Sequence, residues 1–192
     1  MKIWVLGLFG MTVGLGAAGG LLREAESAPA PANGMSILID LSDRMLTVES
    51  SEGTLASYAV AIGAPSFPTP KGSYQIRHIV WNPRWVPPDS KWASKERPRE
   101  PGDPKNPMGR VKLFFREPDY YIHGTRDTDS LGQAESHGCI RLRNPDAIAL
   151  AKLVMNHGGS ARSPGWFRSV LNRVTSTREV YLDAPVPVRI VS

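Results

Sequence analysis

A chain of 192 residues with 41% hydrophobic content can bury one sizeable core and is too short for two full domains. A single cysteine excludes an internal disulfide framework, and the formal net charge of +5 favours polyanionic partners. That charge belongs to the folded part, because residues 1–27 carry Lys2, Arg23, Glu24 and Glu26, two of each sign.

Residues 3–22 are uncharged and follow Lys2, and a Pro/Ala tract occupies 28–34. Such a segment reads as an export signal. Ala25 and Ser27 have the small-residue spacing that a signal peptidase uses, which predicts cleavage after Ser27. The apolar run is also near the ~20 residues that span a bilayer, so an uncleaved N-terminal membrane anchor is the alternative. Either outcome delivers residues 35–192 to the periplasm or cell-wall side, with or without an inner-membrane tether. There nucleic acid is not expected as a partner, and wall polymers or anionic lipids are the available polyanions.

From residue 35 onward short apolar runs alternate with turn residues, which predicts strands over 35–41, 44–49, 54–62, 73–80, 110–116 and 120–122. Ser42-Asp43 and residues 50–53 make hairpin turns between the first three, so the pairing is expected to be mainly antiparallel. A long segment between Trp81 and Met108 holds seven prolines together with Trp81, Trp85 and Trp92. A stretch of that length without periodicity is a functional lid or a disordered linker, and the tryptophans argue for a loop packed over a cleft. A helix is predicted from Asn144 to about Asn156, with Asn144 as its cap, Pro145 in the first turn and Gly158 closing it. A second helix is expected over 164–174, and strands over 179–182 and 186–191 close the domain.

The chemistry concentrates in His123 and Ser136-His137-Gly138-Cys139. A lone cysteine is by default a small buried hydrophobe, but only a thiolate attacks, and two histidines lie within sixteen residues of this one. Gly138 allows a tight turn that can leave the N–H groups of Gly138 and Cys139 pointing at an oxyanion. His123 follows a predicted strand, a rigid base from which to aim an imidazole. Its second nitrogen needs a partner, and a backbone carbonyl near Gly124 serves as well as a carboxylate. Asp127 and Asp129 read as solvated loop residues, and His78 and His157 as structural. Two histidines and one cysteine fall short of a zinc site once the base is accounted for, so no metal and no organic cofactor is expected.

In chain order, Ile39-Asp40-Leu41-Ser42-Asp43-Arg44, Thr69-Pro70-Lys71-Gly72, Trp85-Val86-Pro87-Pro88, Asn106-Pro107-Met108-Gly109, Ile122-His123-Gly124-Thr125 and Ser136-His137-Gly138-Cys139-Ile140-Arg141 resemble the L,D-transpeptidase catalytic domain, the YkuD-type family that remodels bacterial peptidoglycan. The resemblance covers roughly residues 35–155, whereas 160–177 extends beyond where many members end. It implies a mostly β fold, an L,D-transpeptidase-like β-sandwich of mixed sheets with one or two short helices and the long Pro-rich loop. It also implies Cys139 as nucleophile, His123 as base and acid, and His137 as a supporting residue that orders the site or shares its hydrogen bonds. Arg141, Ser136 and Gly124 then contact substrate, Arg141 by holding a carboxylate. The reaction implied is thioester formation with a donor stem peptide, release of terminal D-alanine, and transfer to an amine on another stem (a 3→3 cross-link) or on a lipoprotein. Water as acceptor would make the enzyme an L,D-carboxypeptidase. An inactive peptidoglycan-binding module is the alternative from another class, against which the intact His123 and Cys139 count. No oligomer signal is visible, and a monomer is expected.

Overall fold

The computed structural model describes residues 34–192. The expected signal peptide or anchor, 1–27, and residues 28–33 of the linker lie outside the described residues. Strands β1 (Met35–Asp40) and β2 (Met45–Ser50) bury every second residue, as a one-sided sheet requires. Between them the Asp40 carboxylate accepts from the Ser42 and Asp43 N–H groups at 2.8 and 3.1 Å, and Arg44 takes a positive φ of 54°. Strand β3 (Gly53–Ala59) follows, then β4 (Ile62–Gly63), β5 (Gly72–Trp81), β6 (Val111–Arg116), β7 (Tyr120–Thr125), β8 (Ala134–Ser136), β9 (Ile140–Arg143), helices α1 (Asn144–His157) and α2 (Pro164–Asn172), and β10 (Arg178–Val191).

Eight strands form one mixed sheet in the order β3-β2-β1-β10-β5-β6-β7-β9, and β4 pairs with β8 in a two-stranded ribbon. The expected antiparallel hairpins are present, and parallel pairing enters where β10 returns beside β1 and β9 beside β7. The edges of the sheet also meet: just past β3, Ala61 exchanges both backbone hydrogen bonds with Arg141 of β9, at 3.1 and 2.9 Å. This curls the sheet around a core in which Ile37, Ile39, Leu46, Ile76, Leu113, Ile122, Ile140 and Leu142 cluster with Leu150, Ala151, Val154 and Met155 of α1. The helix packs against β6, β7, β9 and β10 and so backs the strands that carry the motif residues.

Four details differ from expectation. The closing segment is one strand, β10, whose register against β5 shifts between Tyr181 and Val186, a bulge that accommodates Pro185. Trp81 is not part of the loop but ends β5 with no exposure, its ring edge-on to Trp166 and tilted against Phe167 of α2. Helix α2 stops at Asn172, where the Asn82 side-chain amide donates to the carbonyls of Val170, Arg173 and Ser176 at 2.8, 3.1 and 3.2 Å. Arg110 joins this cap, donating to Asn82 Oδ1 and to Leu171 O. The segment 160–177 therefore clamps together the two stems of the Pro-rich loop, at Asn82 and at Arg110.

The fourth correction is Asn144. Its side chain makes no helix cap; Arg143 occupies the N-cap position of α1 and pairs with Asp146 of the first turn. Instead Asn144 Oδ1 accepts from the Arg110 N–H at 2.9 Å, and Nδ2 donates to Thr125 O at 3.1 Å. The amide fills a slot between Gly109 and Gly124, where a Cβ on either glycine would collide with Oδ1. Gly109 also has a φ of 61°. One side chain thus ties the start of β6 and the end of β7 to α1, directly behind His123.

Candidate active site

Register assembles the site. β7 pairs in parallel with β9, setting Ile122 beside Ile140 and His123 beside Arg141. Because side chains alternate along a strand, the core takes Ile122, Ile140 and Leu142, and the opposite face carries Tyr121, His123, Cys139 and Arg141 together. On its other side β7 pairs antiparallel with β6, which puts Lys112 across from His123 and Phe114 across from Tyr121. Ladder hydrogen bonds on both flanks leave this face little freedom. It floors a cleft of about 720 Å³, roofed by Trp85, Pro87, Trp92, Pro107 and Met108 of the Pro-rich loop.

The loop is ordered by identifiable contacts. Trp85 and Arg99 exchange backbone hydrogen bonds at 2.9 Å, and Arg84 pairs with Glu100. Buried Asn106 donates to Pro83 O at 2.8 Å and accepts from the Met108 N–H at 2.9 Å, which explains the asparagine of its motif. At the tip a single 3-10 turn, Lys91–Ala93, presents Trp92 flat against His137, with ring centroids 3.8 Å apart and an interplanar angle of 14°. Phe67 lies on the same imidazole at 4.7 Å. His137, expected to order the site or share its hydrogen bonds, is thus the exposed seat of the loop, and its contacts are ring contacts.

His123 is 3% exposed, and its Nδ1 donates to Gly124 O at 2.8 Å. A carbonyl only accepts, so Nδ1 holds the proton and Nε2 has the free lone pair. Burial drives the imidazole down to about 3; the carbonyls of Gly124 and Pro107 pull the other way, while the charges of Arg141 and Lys112 add to the depression. The Cys139 thiol is raised to about 11, again by burial first, offset by hydrogen bonds from the Tyr121 N–H and hydroxyl and by the charges of Lys112 and Arg141. At rest the sulfur donates to Asp119 O at 3.4 Å. The free protein at neutral pH therefore holds a neutral thiol and a neutral imidazole. Burial also raises the Tyr121 hydroxyl above the ordinary phenol range, so it stays a donor.

The motif turn is internally wired. Ser136 Oγ donates to Cys139 O at 2.6 Å and accepts from the Gly138 N–H at 3.1 Å, so this hydroxyl, in the residue that lines the cleft where a substrate contact was expected, also shapes the loop of Cys139. In this geometry the Gly138 N–H is already committed, which departs from its expected role at an oxyanion. Gly138 has a φ of 101°, and a Cβ there would press on the Tyr120 ring at 2.8 Å. The Gly124 side of the site is occupied by the Asn144 amide, which gives that glycine a packing role. Arg141 lies in the cleft wall with Nη1 3.4 Å from a carboxylate oxygen of Asp127, a solvated loop residue that nonetheless pairs with it. His78 sits far along β5, stacked between Phe114 and Tyr181 with Glu117 on Nδ1, and His157 ends α1, both as structural readings anticipate.

Sequence reasoning missed Tyr121 and Lys112. The available signal was period two: Tyr121 is two residues before His123, and Lys112 is a charge within the apolar run of β6. Among the described residues no group of three or more His, Cys, Asp or Glu side chains is arranged to hold a metal ion.

A family model described as the L,D-transpeptidase catalytic domain, YkuD, matches residues 34–188. A putative L,D-transpeptidase YkuD of Bacillus subtilis is 31% identical over 120 residues, covering 62% of this chain and 60% of that protein. A probable L,D-transpeptidase YbiS of Escherichia coli is 39% identical over 110 residues, covering 54% of this chain and 36% of that protein. The chain thus spans about 60% or less of the length of these relatives. Among solved structures, an L,D-transpeptidase from Mycobacterium smegmatis superimposes with a TM-score of 0.52 at 16% identity, covering 83% of this chain and 59% of that one, a likeness of fold.

Proposed function

Since the chain belongs to the L,D-transpeptidase catalytic-domain family, we propose that it is an exported cysteine acyltransferase acting on peptidoglycan stem peptides, with Cys139 as nucleophile and His123 as base. One observation carries this reading: Cys139 and His123 share a single face of the β7–β9 pair inside a roofed cleft, with Tyr121 donating to the sulfur.

With both groups neutral at rest, attack on the donor carbonyl is coupled to proton transfer. The Sγ–H proton passes to His123 Nε2 as the S–C bond forms and the carbonyl oxygen becomes an oxyanion. The Gly124 carbonyl, on Nδ1–H, stabilises the imidazolium that results. With the Gly138 N–H engaged by Ser136, the Cys139 N–H is the donor proposed for the oxyanion, joined by the Tyr121 hydroxyl as its proton turns from the sulfur to the oxygen while the S–C bond forms. Collapse breaks the C–N bond, the departing D-alanine amine takes the imidazolium proton, and a thioester remains. An acceptor amine then attacks that thioester, gives its proton to Nε2 and releases the thiol with a new amide bond.

The apolar lining from Trp85, Val86, Pro87, Pro88, Pro107 and Met108 favours amine over water as acceptor, because it limits the water held beside the thioester. The charges of Lys112 and Arg141 suit a stem peptide that carries carboxylates. Mass spectrometry of products from the purified protein and a disaccharide tetrapeptide, with Cys139→Ala as control, tests the proposal. Dimers linked 3→3 are expected; tripeptide alone would assign the protein as a carboxypeptidase, and no Cys139-dependent change would overturn the acyltransferase reading.

A further inference from the structure

Lys112 is the one cleft-facing residue of β6 whose charge has no evident structural use. Its neighbours Val111 and Leu113 are buried in the core, while Lys112 alternates to the face of Tyr121, His123, Cys139 and Arg141 and lines the same cleft. The strand register sets it across from His123. Its Nζ lies over two rings, 4.8 Å from the Tyr121 centroid and 4.9 Å from the Phe114 centroid. Among the described residues no carboxylate oxygen comes within 4.0 Å of that ammonium, whereas Arg141, the cation that shares its face of the sheet, is paired with Asp127. A surface lysine kept for solubility would extend into water; this stem is folded down along the aromatic wall of the cleft that Cys139 also lines.

We propose that Lys112 is a positioning residue for the nucleophile: its ammonium, held over the Tyr121 ring, supplies the unpaired positive charge that favours the thiolate of Cys139 over the thiol. The inference deepens the acyltransferase reading and rests on it for its biological meaning.

Two cations act on the site, and they divide the work. Burial lowers Lys112 from its usual basicity, and a Cys139 thiolate is the first charge that restores it, ahead of Glu179. On Cys139, Lys112 weighs more than Arg141, and on His123 the order is reversed. Of the two cations, the lysine is thus the stronger influence on the sulfur and the arginine the stronger on the imidazole. Cation–ring attraction holds the ammonium in place with no carboxylate in ion-pair contact, and Glu179 acts on it only from beyond 4.0 Å. The other ionisable groups facing this spot are Tyr121 and His123 of β7, Arg141 of β9, Glu179 of β10 and Asp119 of the β6–β7 turn. All are common to the variants compared below.

The test is the pH profile of Cys139 alkylation by iodoacetamide in the full chain, followed by intact mass, for the parent, Lys112→Met and Lys112→Arg. Alkylation reads the thiol directly, so it is independent of whether the protein acts on peptidoglycan. Lys112→Met is expected to move the profile up by about one pH unit, a roughly tenfold slower reaction on its rising limb, and Lys112→Arg to restore it to within about twofold. A profile unmoved in Lys112→Met, or moved equally in Lys112→Arg, overturns the proposal. If Lys112→Met does not fold, judged by its melting transition, Lys112→Gln is read against the same two results.

Discussion

The cleft has two walls of different physical character. Its floor, β6, β7 and β9, is fixed by ladder hydrogen bonds on both flanks of β7, backed by α1 and locked from behind by Asn144. Its roof, the Pro-rich loop, has one backbone bridge at Trp85–Arg99, the Asn106 bonds, and a ring-on-ring contact of Trp92 with His137. The floor can hold reacting groups to a fraction of an ångström, and the roof can be displaced at modest cost because its tip contact is a partly exposed stack. Precision and access are thus assigned to separate parts of the chain.

If the floor carries the chemistry, Cys139→Ala should reduce product formation to background, and His123→Ala should lower the acylation rate by about 10²–10⁴-fold, both with unchanged circular dichroism. Residual turnover in Cys139→Ala would remove the floor's central role. Asn144→Ala should lose about 1–3 kcal/mol in urea unfolding, since it strands the Arg110 N–H and the Thr125 carbonyl. It should also lower activity, because the support behind His123 goes with it. A variant of full stability would show that the ladder alone holds the floor.

The buried imidazole leaves a pH signature. In the unfolded chain His123 binds a proton below about 6.5, whereas in the fold it does not until about 3. The unfolded state therefore binds more protons in that window, and stability should fall as pH drops from 6.5 toward 3. Comparing the parent with His123→Gln between pH 6.5 and 5, where most carboxylates stay ionised, isolates this slope; equal slopes would mean that the ring is not held neutral. The smallest effect concerns the roof. Trp92→Ala should cost no more than about 1 kcal/mol in stability, yet it should raise KM and the fraction of hydrolysed thioester, measured as the tripeptide to dimer ratio. An unchanged ratio would make the stack irrelevant to water exclusion.

Much of this was readable in the chain. Alternating burial in β1 and β2, the hairpin turns and α1 are local patterns, and short-range physics decides them. His123 with Gly124 O as its partner was equally legible, because the carbonyl of the next residue is never far from an imidazole. Asn144 was misread for the same reason: Pro145 and Asp146 made a cap the obvious local role, while Arg110 and Thr125, 34 and 19 residues distant, make the actual bonds. Tyr121 and Lys112 escaped notice because each looks ordinary in its own strand. Ser136 and Gly138 were read as facing substrate, and their mutual hydrogen bond across the turn had no signal in the sequence.

By itself the amino-acid sequence determined the class of fold and the helix behind the motif, and it singled out Cys139 and His123 as the candidate thiol and imidazole, since periodicity, turn chemistry and reactive side chains are properties of neighbouring residues. Tertiary structure alone decided which cations face the sulfur, that Asn144 binds two strands together, that 160–177 clamps the loop stems, and that the thiol and the imidazole rest neutral. Those outcomes depend on strand register and burial, which arise only when distant segments pack.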